Sequence, residues 1–302
     1  MDLSAWEYLR PRGFEPKDGA IYRSPDGQFV LRTGEPGRLH PEAEFAQQAR
    51  GHGYPLPEIT EVGMVDDEVA YFIERSAGER TFGNINLEDG FWEMLEIARQ
   101  FFRAQLNPEF RPSAADDLRE AIKLPVVFEE NPDLDAGWIE EAVSRSESRI
   151  AELPLVYCHG DFTPFNIMPG GVIDFEHRLA APFGYDVVTL IRYQRFWDHP
   201  GPNGEANARR YEFDLDKYVG AVKLADLILE ELGYPKFTPH FDDFLILKAI
   251  WALAKTRFDE VGTYKYHRWQ WRKRVLIYCL EQYLAGEAIN TIMFPAVGSF
   301  GS

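Results

Sequence analysis

Nowhere does this chain carry the ~20 consecutive apolar residues that a membrane span requires. Cysteine is nearly absent: Cys158 and Cys279 are the only two, without CxxC spacing. That excludes a disulfide framework and a cysteine-based zinc site. Basic residues are in the minority, 32 Lys and Arg against 49 Asp and Glu, for a formal net charge of -17. Such a surface repels nucleic acid and anionic membranes, so neither is an expected partner. It attracts cations, Mg²⁺ and polyamine-like molecules among them, although acidity more often serves solubility. The segment Met1 to Phe14 has neither the basic start nor the apolar run of a signal peptide. A soluble, reduced, cytoplasmic protein is expected. Internal repeats and low-complexity tracts are also missing, and the sequence sets no oligomeric state.

The 302 residues are 45% hydrophobic and 14% aromatic, enough for a large domain or two lobes sharing a cleft. The early chain alternates short β-type runs with turn signals. Gly19–Arg23 and Gln28–Arg32 flank Ser24-Pro25-Asp26-Gly27, a hairpin signal. A helix is expected from Pro41 to Arg50, with Pro41 in its first turn. Two further strands are expected at Glu58–Met64 and Val69–Glu74. From Leu87 helical spacing dominates: Phe91, Leu95, Ala98 and Phe102 recur along 87–106, and 137–152 is a second candidate. Helices are expected at 185–197, 212–232, 240–259 and 264–285, with a polar loop at 199–206. The predicted class is α+β, a small β-rich lobe at 1–78 ahead of a larger, mainly helical lobe at 79–302.

Chemistry concentrates in one segment. Leu155-Val156-Tyr157-Cys158 leads into His159-Gly160-Asp161, Asn166 follows five residues after the aspartate, and Gly170-Gly171 precede a second apolar run ending in Asp174-Phe175-Glu176. Alone, an Asp-plus-Asn loop is usually a turn that bonds its own backbone. Here five fixed positions (159, 160, 161, 166 and 174) match a spacing expected by chance about once in 10⁶ start points. Phosphoryl transfer needs a carboxylate to take the acceptor proton, with an amide oxygen and a second carboxylate to hold Mg²⁺. No His and Cys cluster offers a softer metal a home.

These residues resemble the signature of the aminoglycoside phosphotransferase and choline kinase family, H-G-D-x-x-x-x-N followed by I-D-[FW]. They are more distantly similar to the H-R-D-x-x-x-x-N and D-F-G motifs of protein kinases. The resemblance implies a bilobal protein-kinase-like fold. It implies Asp161 as catalytic base, Asn166 and Asp174 as Mg²⁺ ligands, and His159 as a brace for the loop. Asp186, in Pro182-Phe183-Gly184-Tyr185-Asp186, is implied to support the same loop. Glu176 and His177 are expected to be hydrogen-bonding or exposed residues.

Such folds steady the nucleotide phosphates with a basic residue on the third strand, paired to a helix glutamate. The matching strand offers Arg32 where lysine is usual, and arginine is no direct substitute for an ammonium. The implied partner is Glu42, with Glu44 as the alternative. Lys17-Asp18-Gly19-Ala20 occupies the phosphate-loop position without a G-x-G-x-x-G. Tyr71–Gly78 resembles the hinge, where backbone groups around Glu74–Ser76 are implied to meet the adenine.

The implied activity is transfer of the γ-phosphoryl of ATP, or of GTP, to a hydroxyl of a small, possibly cationic metabolite. The basic, aromatic stretch Tyr264–Arg274 fits a packed amphipathic helix better than a nucleic-acid surface. A catalytically silent ligand- or partner-binding relative is the alternative. A protein kinase is disfavoured by the missing H-R-D arginine and the absence of a clear activation segment.

Overall fold

The computed structural model describes residues 3–12, 19–84, 87–192, 196, 214–256 and 261–295. Lys17, Asp18 and the loop at 199–206 lie outside them. In chain order the elements are β1 (Glu7–Pro11), β2 (Ala20–Arg23), β3 (Phe29–Gly34), α1 (Pro36–Gly51), β4 (Ile59–Met64) and β5 (Ala70–Arg75). Then come α2 (Leu87–Gln105), α3 (Leu118–Ala121), α4 (Leu124–Glu130), α5 (Ala136–Ile150), β6 (Leu155–Cys158), β7 (Ile167–Met168), β8 (Gly171–Val172) and β9 (Leu179–Pro182). The chain continues through α6 (Tyr185–Arg192), α7 (Leu215–Glu231), α8 (Phe241–Ala254) and α9 (Tyr264–Ala285).

The first five strands form an antiparallel sheet ordered β1-β2-β3-β5-β4. The Pro25-Asp26-Gly27 turn joins β2 to β3. Asp26 Oδ1 accepts Ser24 Oγ–H at 2.6 Å and the Gln28 N–H at 3.0 Å, and Gly27 takes φ 70°. No sequence pattern announces β1, because all five of its residues are exposed and alternation carries no signal there. α1 starts at Pro36, not at Pro41. Pro36 takes the first helical position, and Pro41 lies one turn in, where its missing N–H removes a single helix bond.

Strand alternation sorts the sheet into two faces. Leu31, Tyr71 and Ile73 cluster on one, with Tyr22 and Phe29 packed against them. Ala70 and Phe72 face the other way and meet Leu39 and Ala43 of α1. Arg32 is opposite Phe72 in the β3–β5 register, so Arg32 and Glu74 share the α1 face.

The chain forms two compact units, one comprising 1–111 and 164–178, the other 112–163 and 179–302. This differs from the boundary at 78. The sheet ends three residues earlier, at Arg75, and aromatic packing carries the first unit onward. Tyr54 meets Phe101 of α2 at 5.4 Å between ring centroids, and Phe175 lies 5.7 Å from Phe45 and 6.1 Å from Phe101.

The second unit pairs β6 with β9 and stacks helices around α8. Every residue of α8 from Asp243 to Ala254 is buried, the pattern of a helix enclosed on all sides. α3 and α4 are too short to show helical periodicity in the sequence. α3 is fixed by Asp117, whose side chain accepts the N–H groups of Arg119 and Glu120. α9 spans the expected 264–285 but has more than one buried side, since Trp269, Trp271 and Arg272 are all enclosed. The Arg272 guanidinium donates to the carbonyls of Phe196 (2.8 Å) and Ala252 (2.7 Å) and to Thr256 Oγ1. Among the described residues no helix is long and apolar enough to cross a membrane.

The glycines at 170 and 171 set how closely the 164–178 segment lies on its unit. Gly170 N–H donates to Ala77 O and Val172 N–H to Pro55 O, each at 2.7 Å. A Cβ on Gly171, at φ 133°, would collide with the Pro55 carbonyl. Gly171→Ala is therefore expected to lower stability by about 2 kcal/mol or more, read by denaturant unfolding. An unchanged midpoint would show that the segment is not held this closely.

Candidate active site

In the first unit the informative feature is a cluster of guanidinium and carboxylate groups. Arg32 is 3% exposed, and its Nε donates to Glu74 Oε1 at 2.8 Å. The pair is diagonal across neighbouring strands, a separation long side chains span. Arg32 Nη1 is buried without a hydrogen-bond partner among the described residues, 3.8 Å from Asp174 Oδ1. Burial works against the charge on Arg32, but Glu74, Asp174 and Glu42 outweigh it, and the guanidinium stays charged. Burial raises the Glu74 carboxyl, with Arg32 pulling it back.

Glu42 does not pair with Arg32. Its Oε2 accepts from Arg12 Nη2 at 2.7 Å, while Arg32 Nε is held by Glu74 within its own sheet. Glu44, the alternative, is exposed and accepts from Gln48 at 3.3 Å. Arg12 also lies 3.8 Å from Asp174 Oδ1 and 3.7 Å from Glu176 Oε2. Burial raises the Glu176 carboxyl and Asp174 adds to this, while Arg12 and Arg38 oppose it. A cavity of about 170 Å³ adjoins these groups, lined among others by Arg12, Arg38, Glu42, Glu176 and Arg178.

Asp174 is one of two described non-glycine residues at positive φ, with φ 73° and ψ 64°. That conformation costs about 1–3 kcal/mol, and the next residue, Phe175, is buried against Phe45 and Phe101. Asn166 is half-buried, and its carbonyl accepts the Ile173 N–H at 3.0 Å. Ser76 gives its N–H to Gln28 O at 2.8 Å, so that donor is already engaged. Asn166 and Asp174 both lie on the 164–178 segment of the first unit. Among the described residues no group of three or more His, Cys, Asp and Glu forms a metal cage.

The second unit positions Asp161. Asp186, in the first turn of α6 and 1% exposed, accepts the His159 N–H at 2.7 Å and the Gly160 N–H at 3.0 Å. Burial raises the Asp186 carboxyl, opposed by His159, Lys248 and those two N–H donors. His159 is fully buried, and its Nδ1 accepts the Asp161 N–H at 3.3 Å. Lys248 of α8, 1% exposed, donates from Nζ to Gly160 O at 3.2 Å and sits 3.4 Å from the Tyr185 ring centroid. Burial lowers the Lys248 ammonium to about 7 against the pull of Asp186 and Asp161.

Neither Arg12 nor Lys248 emerges from motif spacing. Lys248 had a signal, as the one charged residue in the apolar run Phe244–Ala254. Arg12 had none, since its partner Glu42 is thirty residues away.

The phosphotransferase enzyme family model matches residues 20–219, more than half of the chain, and the chain belongs to that family. Its fold is the protein-kinase-like one, an antiparallel sheet followed by a mostly helical part. It is similar to aminoglycoside phosphotransferase APH(3'')-Id from Streptomyces rimosus, at 16% identity over 82% of this chain and 93% of that one, TM-score 0.55. It is also similar to a thermostable mutant of aminoglycoside phosphotransferase APH(4)-Ia in ternary complex with ADP and hygromycin B. There identity is 15% over 92% of this chain and 94% of that one, TM-score 0.59. Curated proteins give no sequence match.

Two expectations follow. Arg32→Met leaves Glu74 buried without its cation and should cost about 3 kcal/mol or more, most of it restored in Arg32→Met/Glu74→Leu. Equal denaturation midpoints for the single and double variants would contradict this. The second concerns pH. The Lys248 ammonium is near 7 when folded and 10.5 ordinarily, so between these values the unfolded chain binds more protons. Its burial penalty is complete below pH 7 and disappears as pH rises towards 10.5. The stability of wild type relative to Lys248→Met should therefore rise across that window, measured by unfolding at several pH values. A flat difference would place the lysine in a wetter setting.

Proposed function

We propose that the protein is a small-molecule kinase, transferring the γ-phosphoryl of ATP to a hydroxyl of an aminoglycoside-like or other hydroxylated metabolite. The observation that carries this reading is the braced Asp161 turn, accompanied five residues later by Asn166 and then by Asp174. Family membership supports phosphotransfer. Nucleotide and aminoglycoside complexes of similar structures support the donor and the acceptor class. The net charge of -17 suits a cationic acceptor.

In this reading Asp161 orients the acceptor hydroxyl and takes its proton as the oxygen attacks. Asn166 and Asp174 hold Mg²⁺. Their donors suit a hard cation, and the unbonded Nη1 of Arg32 beside Asp174 suits an anionic ligand there. A cation held by these two residues would offset charge on the β- and γ-phosphates. Arg32 steadies those phosphates through Nη1 while Nε stays on Glu74, and Arg12 keeps Glu42 in place. His159 holds the Asp161 N–H and Asp186 the two N–H groups before it, which limits reorganisation during proton transfer. A catalytically silent binder is the second reading, favoured by the commitment of Arg32 to Glu74.

Calorimetric titration with ATP and with GTP, each with and without Mg²⁺, tests the donor side. Metal-dependent binding is expected in wild type and should vanish in Asp174→Ala. No binding to well-folded wild type would favour the silent reading. Asp161→Asn should lower turnover by about 10²–10⁴-fold with nucleotide affinity unchanged. The assay is ADP formation during a screen of hydroxylated amines and sugars. Equal turnover would remove Asp161 as the base.

A further inference from the structure

We infer that Lys248 is a positioning residue for Asp161, fixing from α8 the peptide plane that carries it. The inference rests on the proposed role of Asp161 as base. The peptide between Gly160 and Asp161 is held at both ends. Its carbonyl accepts from Lys248 Nζ at 3.2 Å, and its N–H donates to His159 Nδ1 at 3.3 Å. The preceding N–H, on Gly160, goes to Asp186 at 3.0 Å. Gly160 itself takes φ 84°, which glycine reaches without a Cβ penalty, so the residue type adds no steric restraint of its own to this turn. One carboxyl group and one amino group, each 1% exposed, thus hold the two sides of Gly160.

A lysine that only filled space would be a poor choice in a helix otherwise apolar from Phe244 to Ala254. Its ammonium makes no ion pair among the described residues, and its one hydrogen-bond acceptor there is the Gly160 carbonyl. The ring of Tyr185 closes over it at 3.4 Å, with Trp251 at 5.3 Å. The ionisable groups acting on it are Asp186 from α6, Asp161 and Cys158 from the loop and its preceding strand, and Lys255 just past the end of α8. With its carbonyl released, the peptide could rotate and Asp161 would lose its set position. Positioning errors of this kind lower kcat more than they raise KM.

The first measurement is a pH titration of the full chain by NMR, with ¹³C-lysine and ¹⁵N-backbone labels. One lysine signal should titrate near pH 7, and the Asp161 amide ¹⁵N shift should follow the same midpoint because its peptide carbonyl bonds that ammonium. In Asp161→Asn the lysine midpoint should fall by about half a unit or more, since a neighbouring anion is lost. The second measurement is ADP formation from ATP and Mg²⁺ with water as acceptor. Folded Lys248→Met should lose about tenfold or more in kcat, with KM for ATP within about twofold.

An Asp161 amide that ignores the lysine titration overturns the inference, as does wild-type kcat in folded Lys248→Met. Should that variant not fold, the NMR titration of wild type and Asp161→Asn decides alone. Wild-type turnover in Asp161→Asn is a separate failure, removing the base assignment while leaving the measured coupling intact.

Discussion

A guanidinium taken out of water must find anions within reach, and Arg32 sets this demand in the middle of the sheet. Removing such a group from solvent carries a penalty of several kcal/mol unless geometry compensates. Glu74 compensates diagonally from the neighbouring strand β5, Asp174 from the returning 164–178 segment, and Glu42 at longer range from α1. Three separate stretches of chain thus answer to one side chain. Arg12 extends the arrangement by taking up Glu42, the carboxylate that Arg32 leaves aside. The outcome is an alternating series of charges in which each carboxylate has a cation nearby and Asp174 faces two.

The second unit solves a smaller problem with the same means. Gly160 supplies the turn that brings Asp161 into place, but glycine alone would leave the turn loose. Asp186 and Lys248 remove that freedom, one holding N–H groups and the other a carbonyl. Both are buried, so the contacts are little screened by water. Rigidity at Asp161 therefore comes from α6 and α8, elements remote in sequence from the loop they stabilise.

Local pattern made much of this legible. The hairpin at Pro25-Asp26-Gly27, the periodicity of α2 and the limits of α9 follow from rules spanning a few residues. The spacing of His159, Asp161, Asn166 and Asp174 points to phosphotransfer from the sequence alone. What escaped was set by pairing at a distance. Resemblance pairs Glu42 with Arg32, because related folds place a helix glutamate against that strand. Which of two arginines reaches it depends on β1, a strand whose exposed residues give no signal. Buried Arg272 was likewise hidden, since its acceptors Phe196 and Ala252 belong to other segments.

The route of the chain between its compact units has a consequence for dissection. The polypeptide passes from the first unit to the second after Arg111, returns after Thr163 and leaves again after Arg178. No single cut separates the units. A fragment ending at Arg111 would be missing the residues that place Asn166, Asp174 and Phe175 upon it. A fragment beginning at Pro112 would carry that segment away from the aromatic rings and glycine contacts that seat it. The two units are thus one inseparable product of translation, and insertions or fusions have to respect a weave, not a boundary.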